Sequence, residues 1–186
     1  MLHPFQLREI VRRLRLGAII AYPTEAVFGL GCDPCNEAAV RRLLKIKRRS
    51  PKKGLILIAA EFAQLESFVE PLDTATRARV DATWPGPVSW LLPARDSVPM
   101  WLRGAHTNLA VRVTAHPIAA QLCRAFGAPL VSTSANISGR PPARSALGVR
   151  GQLNGLVDCI VPGTIGGASR PSEIRHARNG RVVRAG

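Results

Sequence analysis

Residues 130–139, LVSTSANISG, constrain the fold more than any other stretch of this chain. The apolar lead-in Ala128-Pro129-Leu130-Val131 reads as the inner end of a buried strand, and Ser132, Thr133, Ser134, Asn136 and Ser138 follow it directly. Burying an unpartnered hydroxyl or amide costs about 1–3 kcal/mol, and side chains this short cannot reach far for partners. They are therefore expected at an open strand end, with donors facing a crevice. In open α/β sheets the crevice beyond the carboxyl ends of the strands is where ligands bind, and a cluster of hydroxyl and amide donors suits an anion. A serine-rich surface turn is the alternative.

The rest of the chain supplies strands and helices in alternation. Leu7, Ile10, Val11 and Leu14 recur at helical spacing with Arg8, Arg12, Arg13 and Arg15 on the other faces, and Gly17 ends that helix. A strand over residues 18–22 follows, stopped by Pro23. Thr24 and Glu25 emerge at its end much as Ser132–Asn136 do. Gly29 and Gly31, two apart, imply a backbone that turns tightly or approaches something closely. Asn36 is placed to cap a second helix whose buried stripe is Ala39, Val40, Leu43 and Leu44, and Ser50-Pro51 takes the chain out of it. Residues 55–60 are continuously apolar, as a strand buried on both faces would be.

Helices are expected at 62–69, 74–83, 118–126 and, weakly, 145–153; strands at 88–92, 109–113 and 157–161. Trp84-Pro85-Gly86-Pro87 reads as a rigid turn in which Trp84 packs. Arg112 stands between two valines, so alternation points it to the opposite face, where it must meet a carboxylate of the protein or of a ligand. Asn179-Gly180 between strand-like arms suits a hairpin with a type I′ turn. An antiparallel hairpin beside strand–helix alternation implies an α/β fold with a mixed, twisted open sheet and flanking helices. A single domain over residues 1–186 is expected, with no second C-terminal domain.

A hydrophobic content of 46% supports a globular fold. The apolar run at 17–21 falls far short of the ~20 residues of a membrane span, and a cytoplasmic protein is expected. Four cysteines are too few and scattered for a disulfide framework, and Cys32-Asp33-Pro34-Cys35 reads as a turn, since no second pair completes a metal site. The formal net charge of +14 calls for a polyanionic partner. Of the 26 basic residues only four are lysine, and all four lie between Lys45 and Lys53 in a run without an acid. Such a run forms a potential well for phosphate, on a nucleotide or on RNA.

Taken together, Tyr22-Pro23-Thr24-Glu25-Ala26-Val27-Phe28-Gly29-Leu30-Gly31, Lys47-Arg48-Arg49, Trp84-Pro85-Gly86-Pro87, Ala110-Val111-Arg112-Val113 and Ser132–Gly139 resemble the YrdC family, and within it the short bacterial threonylcarbamoyl-AMP synthases. The resemblance covers nearly the whole chain and implies a YrdC-like twisted sheet with a basic concave surface. The implied reaction joins L-threonine, bicarbonate and ATP into threonylcarbamoyl-AMP and pyrophosphate, after which partner proteins move the threonylcarbamoyl group to a tRNA adenosine next to the anticodon. Carried over by motif, Lys47 and Arg49 grip the nucleotide phosphates, Ser134 and Asn136 hold ATP, and Arg144 and Arg184 stand on the ATP side. Thr24, Arg112 and Ser172 fall around threonine, Arg112 taking its carboxylate because a planar fork matches one.

That chemistry suits a sequence lacking a GxxxxGK[ST] loop, a Ser/His/Asp arrangement and a metal cluster. A carbamate is already an anionic nucleophile, so positioning and charge neutralisation suffice, and magnesium is expected to arrive with ATP; no metal-binding residues are expected. Three positions depart from the family pattern. Ser50 stands for a proline, Phe28 for a tyrosine, and Ile58 for a histidine found near threonine in longer relatives. The rival reading is a basic RNA-binding module acting in tRNA or ribosome maturation without catalysis, although aromatics are only 5% of residues and do not interleave with the basic run.

Overall fold

A computed structural model describes residues 1–185; Gly186, the last residue of the expected domain, lies outside them. In chain order the elements are α1 (Pro4–Arg15), β1 (Ile20–Pro23), β2 (Phe28–Gly31), α2 (Glu37–Lys47), β3 (Ile56–Ala59), α3 (Thr74–Asp81), β4 (Val88–Pro93), α4 (Met100–Arg103), β5 (Asn108–Val113), α5 (Pro117–Phe126), β6 (Leu130–Ser134), α6 (Ala146–Leu153), β7 (Cys159–Ile160), β8 (Glu173–His176) and β9 (Val182–Arg184). The strands form one sheet in the order β7-β1-β2-β6-β3-β5-β4-β8-β9. It is mixed, as expected: β3 runs parallel to β5, β4 to β8 and β1 to β7, and the other pairs are antiparallel.

Strand alternation sorts the core into two layers. Phe28, Leu30, Leu57, Val111, Val113 and Val131 face one side, where they pack on α2 (Ala39, Val40, Leu43), on Val80 of α3, on Leu102 of α4 and on Val149 of α6. Ile20, Tyr22, Ile58 and Leu130 face the other, under Ile10 and Leu14 of α1 and Ile118, Ala119 and Leu122 of α5. Each such aliphatic contributes about 1.5–3 kcal/mol by burial. On this second face α5 covers β1 and β3, and the polar stretch of residues 132–138 emerges beside that cover.

Several expectations are met in detail. Asn36 caps α2, its Oδ1 accepting from Ala39 N at 3.0 Å, and Asp33 accepts from Cys35 N at 2.8 Å in the turn expected there. Trp84 packs against the core, its Nε1 donating to Val88 O at 2.7 Å. Others are corrected. The helix expected at 62–69 is a single 3-10 turn, Phe62–Leu65, because the chain then bridges to β4: Glu70 N donates to Pro93 O, and Val69 pairs with Ala94.

Gly29 and Gly31 belong to a strand, β2, which the glycines disguise. A Cβ on Gly31 would stand 2.7 Å from Cε1 of Tyr22 and 2.5 Å from Val131 O, so the pair is there to let the buried tyrosine ring lie across the strand. The terminal hairpin forms without a two-residue type I′ turn. Ala177 N still donates to β4 (Leu91 O, 3.2 Å), His176 N reaches Arg181 O, and Asn179 accepts from Arg181 N through its side chain, which leaves only Gly180 with positive φ (+71°) in the loop. Among the described residues no helix is long and apolar enough to cross a membrane.

Candidate functional site

Where α1 and α5 leave the second face of the sheet bare, a cavity of about 270 Å³ opens. Its floor comes from adjacent strands: Gly29 of β2, Ser132 and Ser134 of β6, Ile56 of β3 and Arg112 of β5. The expected crevice is thus real but lies against the face of the sheet. β6 remains a strand through Ser134, so alternation aims Ser132 and Ser134 out of the face. Gly29, registered opposite Ser134, adds no side chain to fill the space between Thr24 and Ser132. The rim comes from Thr24 and Glu25 after β1, Arg49 after α2, and Arg170, Ser172 and Arg184 around β8 and β9. A second cavity of about 240 Å³ continues from the first, sharing Arg49, Leu55, Ile56 and Arg184 and adding Lys53, Arg103, His106 and Asn108.

Of the residues singled out from sequence, Thr24, Arg49, Arg112, Ser134, Ser172 and Arg184 meet at this cavity. Thr24 spends its hydroxyl proton on Val27 O at 2.7 Å, so it faces a ligand as an acceptor. Arg49 donates to Gly54 O at 2.9 Å through Nη2, while its buried Nε has no partner among the described residues. Burial lowers the pKa of Arg49; burial first, then the charges of Arg49 and Arg112, lowers that of Arg184. Arg184 Nη2 donates to Ser172 O at 2.8 Å, which fixes both residues on the rim.

Lys47 and Asn136 sit one layer behind. The Lys47 side chain is 2% exposed, and its three ammonium donors go to Ser134 O, to Asn136 O at 3.0 Å and to Asn136 Oδ1 at 3.0 Å. Asn136 Oδ1 also accepts from Ser134 Oγ at 2.6 Å, and its Nδ2 donates to Arg140 O. Lys47 therefore lies outside the cavity lining as the clasp of the Ser134–Asn136 turn, with no donor left for a phosphate in this conformation. Burial, then the Arg49 charge, brings its pKa down to about 8, so it is still mainly cationic at neutral pH. The two cations part company at Arg48, which closes α2 in the left-handed conformation (φ 49°, ψ 44°). Lys47, still helical, points inward; Arg49, past the corner, reaches the cavity.

Arg144 is not brought to the cavity. Ala143, its neighbour, is held by backbone bonds to Phe28 and Ala135, and the exposed Arg144 side chain follows that strap away from the lining. Ile58 is fully buried beneath α5 and likewise does not line it. Sequence reasoning did not pick out Arg170, for which the loop gave no periodic signal, or the role of Glu25. Arg112 Nη2 lies 3.2 Å from Glu25 Oε2, with the two side chains 6% and 13% exposed. Glu25 Oε1 accepts from Thr114 Oγ1 at 2.7 Å and from Ala115 N at 3.2 Å.

The cavity thus has two unlike ends. Arg49 and Arg184 have no carboxylate partner among the described residues and so offer net positive charge, as phosphates require, whereas Arg112 arrives already paired.

Comparison with known proteins bears on the family and the fold. The Sua5/YciO/YrdC family, described as "Telomere recombination", matches residues 12–186. A threonylcarbamoyl-AMP synthase of Nitrosococcus oceani is 57% identical over 97% of this chain and 97% of its own length, and one of Methylococcus capsulatus is 56% identical with the same coverage. The crystal structure of P. abyssi Sua5 complexed with L-threonine superposes with a TM-score of 0.89 at 32% identity, over 95% of this chain. This chain spans 52% of that longer protein. On the strength of these matches, the chain belongs to the Sua5/YciO/YrdC family.

Proposed function

We propose that this protein is a threonylcarbamoyl-AMP synthase, a nucleotidyltransferase that joins L-threonine, bicarbonate and ATP. The threonine amine and bicarbonate form a carbamate with loss of water. A carbamate oxygen then attacks the α-phosphorus of ATP, forming a P–O bond as the bond to the bridging oxygen breaks, and pyrophosphate leaves with the electron pair. The observation that carries this reading is the single cavity lined by Arg49, Arg184 and Ser134 together with Thr24, Arg112 and Ser172.

Arg49 and Arg184 neutralise the phosphates; Lys47 and Asn136 hold the Ser134 turn, Lys47 adds charge from beneath, and the Ser134 hydroxyl would turn from Asn136 Oδ1 to donate to a phosphate oxygen. Arg112 takes the threonine carboxylate, with Thr24 accepting from and Ser172 donating to the rest of the amino acid. The carbamate needs no protein base, so the rate comes from alignment and electrostatic stabilisation. A magnesium ion arriving on the triphosphate belongs to the substrate. Arg144, outside the cavity here, would reach ATP only through movement of its strap. Downstream, threonylcarbamoyl-transferase proteins acting on tRNA would consume the product, with tRNA contact through the basic surface and the whole sequence running in the cytoplasm.

The test is pyrophosphate release from ATP that requires both threonine and bicarbonate and proceeds without RNA. Release independent of threonine, or none beside salt-sensitive RNA binding, would overturn the proposal in favour of an RNA-binding module.

A further inference from the structure

Among the described residues Arg112 is the one cation of the cavity wall with a carboxylate behind it, and the way that carboxylate is held assigns it a task. Glu25 follows β1, 87 positions from Arg112 in sequence, yet three separate contacts fix it. Oε1 is tied to Thr114 Oγ1 and Ala115 N at the exit of β5, the strand that carries Arg112. Its backbone oxygen accepts from Ala168 N at 3.1 Å, while Thr24 O accepts from Gly166 N at 2.9 Å. Those bonds fasten the loop that brings Arg170 and Ser172 to the rim. A Cβ on Gly166 would lie 2.8 Å from Glu25 O, so the loop crosses the glutamate backbone closely. With Oε1 satisfied, Oε2 is left buried against Arg112 Nη2, and neither Oε2 nor Arg112 Nε makes a hydrogen bond among the described residues.

We infer that Glu25 is a positioning residue for the threonine carboxylate: it holds the Arg112 guanidinium at one angle, so that a ligand carboxylate meets a fixed fork. A free arginine on a strand would sample many rotamers and lose that freedom on binding; the Glu25 contact removes the loss beforehand. The pair is also neutral overall, so this end of the cavity favours an amino acid, zwitterionic or carbamoylated, over a polyphosphate. The phosphates are thereby left to Arg49 and Arg184. This inference rests on the reading of the site as a threonylcarbamoyl-AMP synthase.

The Glu25→Gln variant isolates the effect. Glutamine keeps an acceptor for Thr114 and Ala115 but sets an amide N–H against Arg112 Nη2, two donors face to face. The expected result is a KM for threonine raised about 10–100-fold, with KM for ATP and kcat at saturating threonine within about twofold of the parent. Threoninamide, which lacks the carboxylate, serves as the control substrate. Its slower turnover should be the same in parent and variant, so that the preference for threonine collapses; a general loosening of the fold would slow both alike. Glu25→Asp, which keeps the charge at shorter reach, should recover part of the lost affinity.

Thr114→Val removes the donor that anchors Oε1 and should move the same ratio in the same direction by a smaller factor; it decides the matter if Glu25→Gln does not fold. An unchanged threonine-to-threoninamide preference in whichever variant folds would overturn the inference. Wild-type pyrophosphate release that does not depend on threonine would instead overturn the functional reading, before any variant is compared.

Discussion

Lys47 and Arg112 are both buried cations, one behind the cavity wall and one in it, and their surroundings differ in counter-charge. Arg112 faces a carboxylate at 3.2 Å. Lys47 is surrounded by neutral oxygens, two backbone carbonyls and an amide, with no ion pair among the described residues and with Arg49 as a charged neighbour. The first arrangement cancels charge and leaves shape, which suits an amino acid. The second leaves a net positive field under a turn of hydroxyl and amide groups, which suits phosphates. Two basic residues, alike in the sequence, thus present chemically different surroundings because they differ in their counter-charge.

Breaking the pair gives the largest expected effect. Arg112→Ala strands the Glu25 carboxylate in a nearly closed site and should cost about 3–5 kcal/mol of folding stability, read by urea unfolding. Arg112→Met combined with Glu25→Gln should recover most of that loss while threonine turnover stays absent.

The Lys47 side of the comparison is tested by pH. Its pKa lies at about 8 in the folded protein against an ordinary 10.5. Between those values the unfolded chain holds a proton that the folded chain has released, so this group makes stability rise with pH across the window. Relative to Lys47→Met, the parent should gain about 3 kcal/mol between pH 8 and 10.5. A constant difference would mean that the three oxygen acceptors hold the ammonium at its usual pKa.

Arg49→Ala should weaken AMP or ATP binding by about 1.5–3 kcal/mol, measured by calorimetry, with threonine binding untouched. Equal loss for both ligands would erase the division between the two ends. The smallest effect is expected for Ser134→Ala, about 0.5–1.5 kcal/mol in nucleotide affinity, because the turn it belongs to stays clasped by Lys47.

Much of this arrangement is legible in the sequence, and the illegible parts have a common cause. The α2 cap, the strand carrying Arg112 and the polar exit of β6 are local signals, set by spacing and side-chain type, and they hold. What fails depends on partners distant in sequence. β2 hides because its glycines answer to Tyr22 and Val131; the cavity lies on the sheet face because α1 and α5 cover only part of it. The donors of Lys47 look free until the backbone of residues 134–136 is placed beside them. Arg112 needs a carboxylate on sequence grounds, yet only the fold brings Glu25 within reach of it. The exclusion of Arg144 from the lining likewise goes with the backbone bonds of Ala143 to Phe28 of β2 and to Ala135 just after β6.

The left-handed residue at the end of α2 makes the two-residue spacing of Lys47 and Arg49 a geometric instruction. Arg48 is exposed and contributes its backbone angle, so glycine or asparagine could stand there at little cost, while valine or isoleucine would resist the turn. Lengthening that corner by a single residue would rotate one cation out of its berth and leave the other without a route to its ligand. What descent must preserve here is a bend with a basic group on each side, whatever amino acid makes the bend.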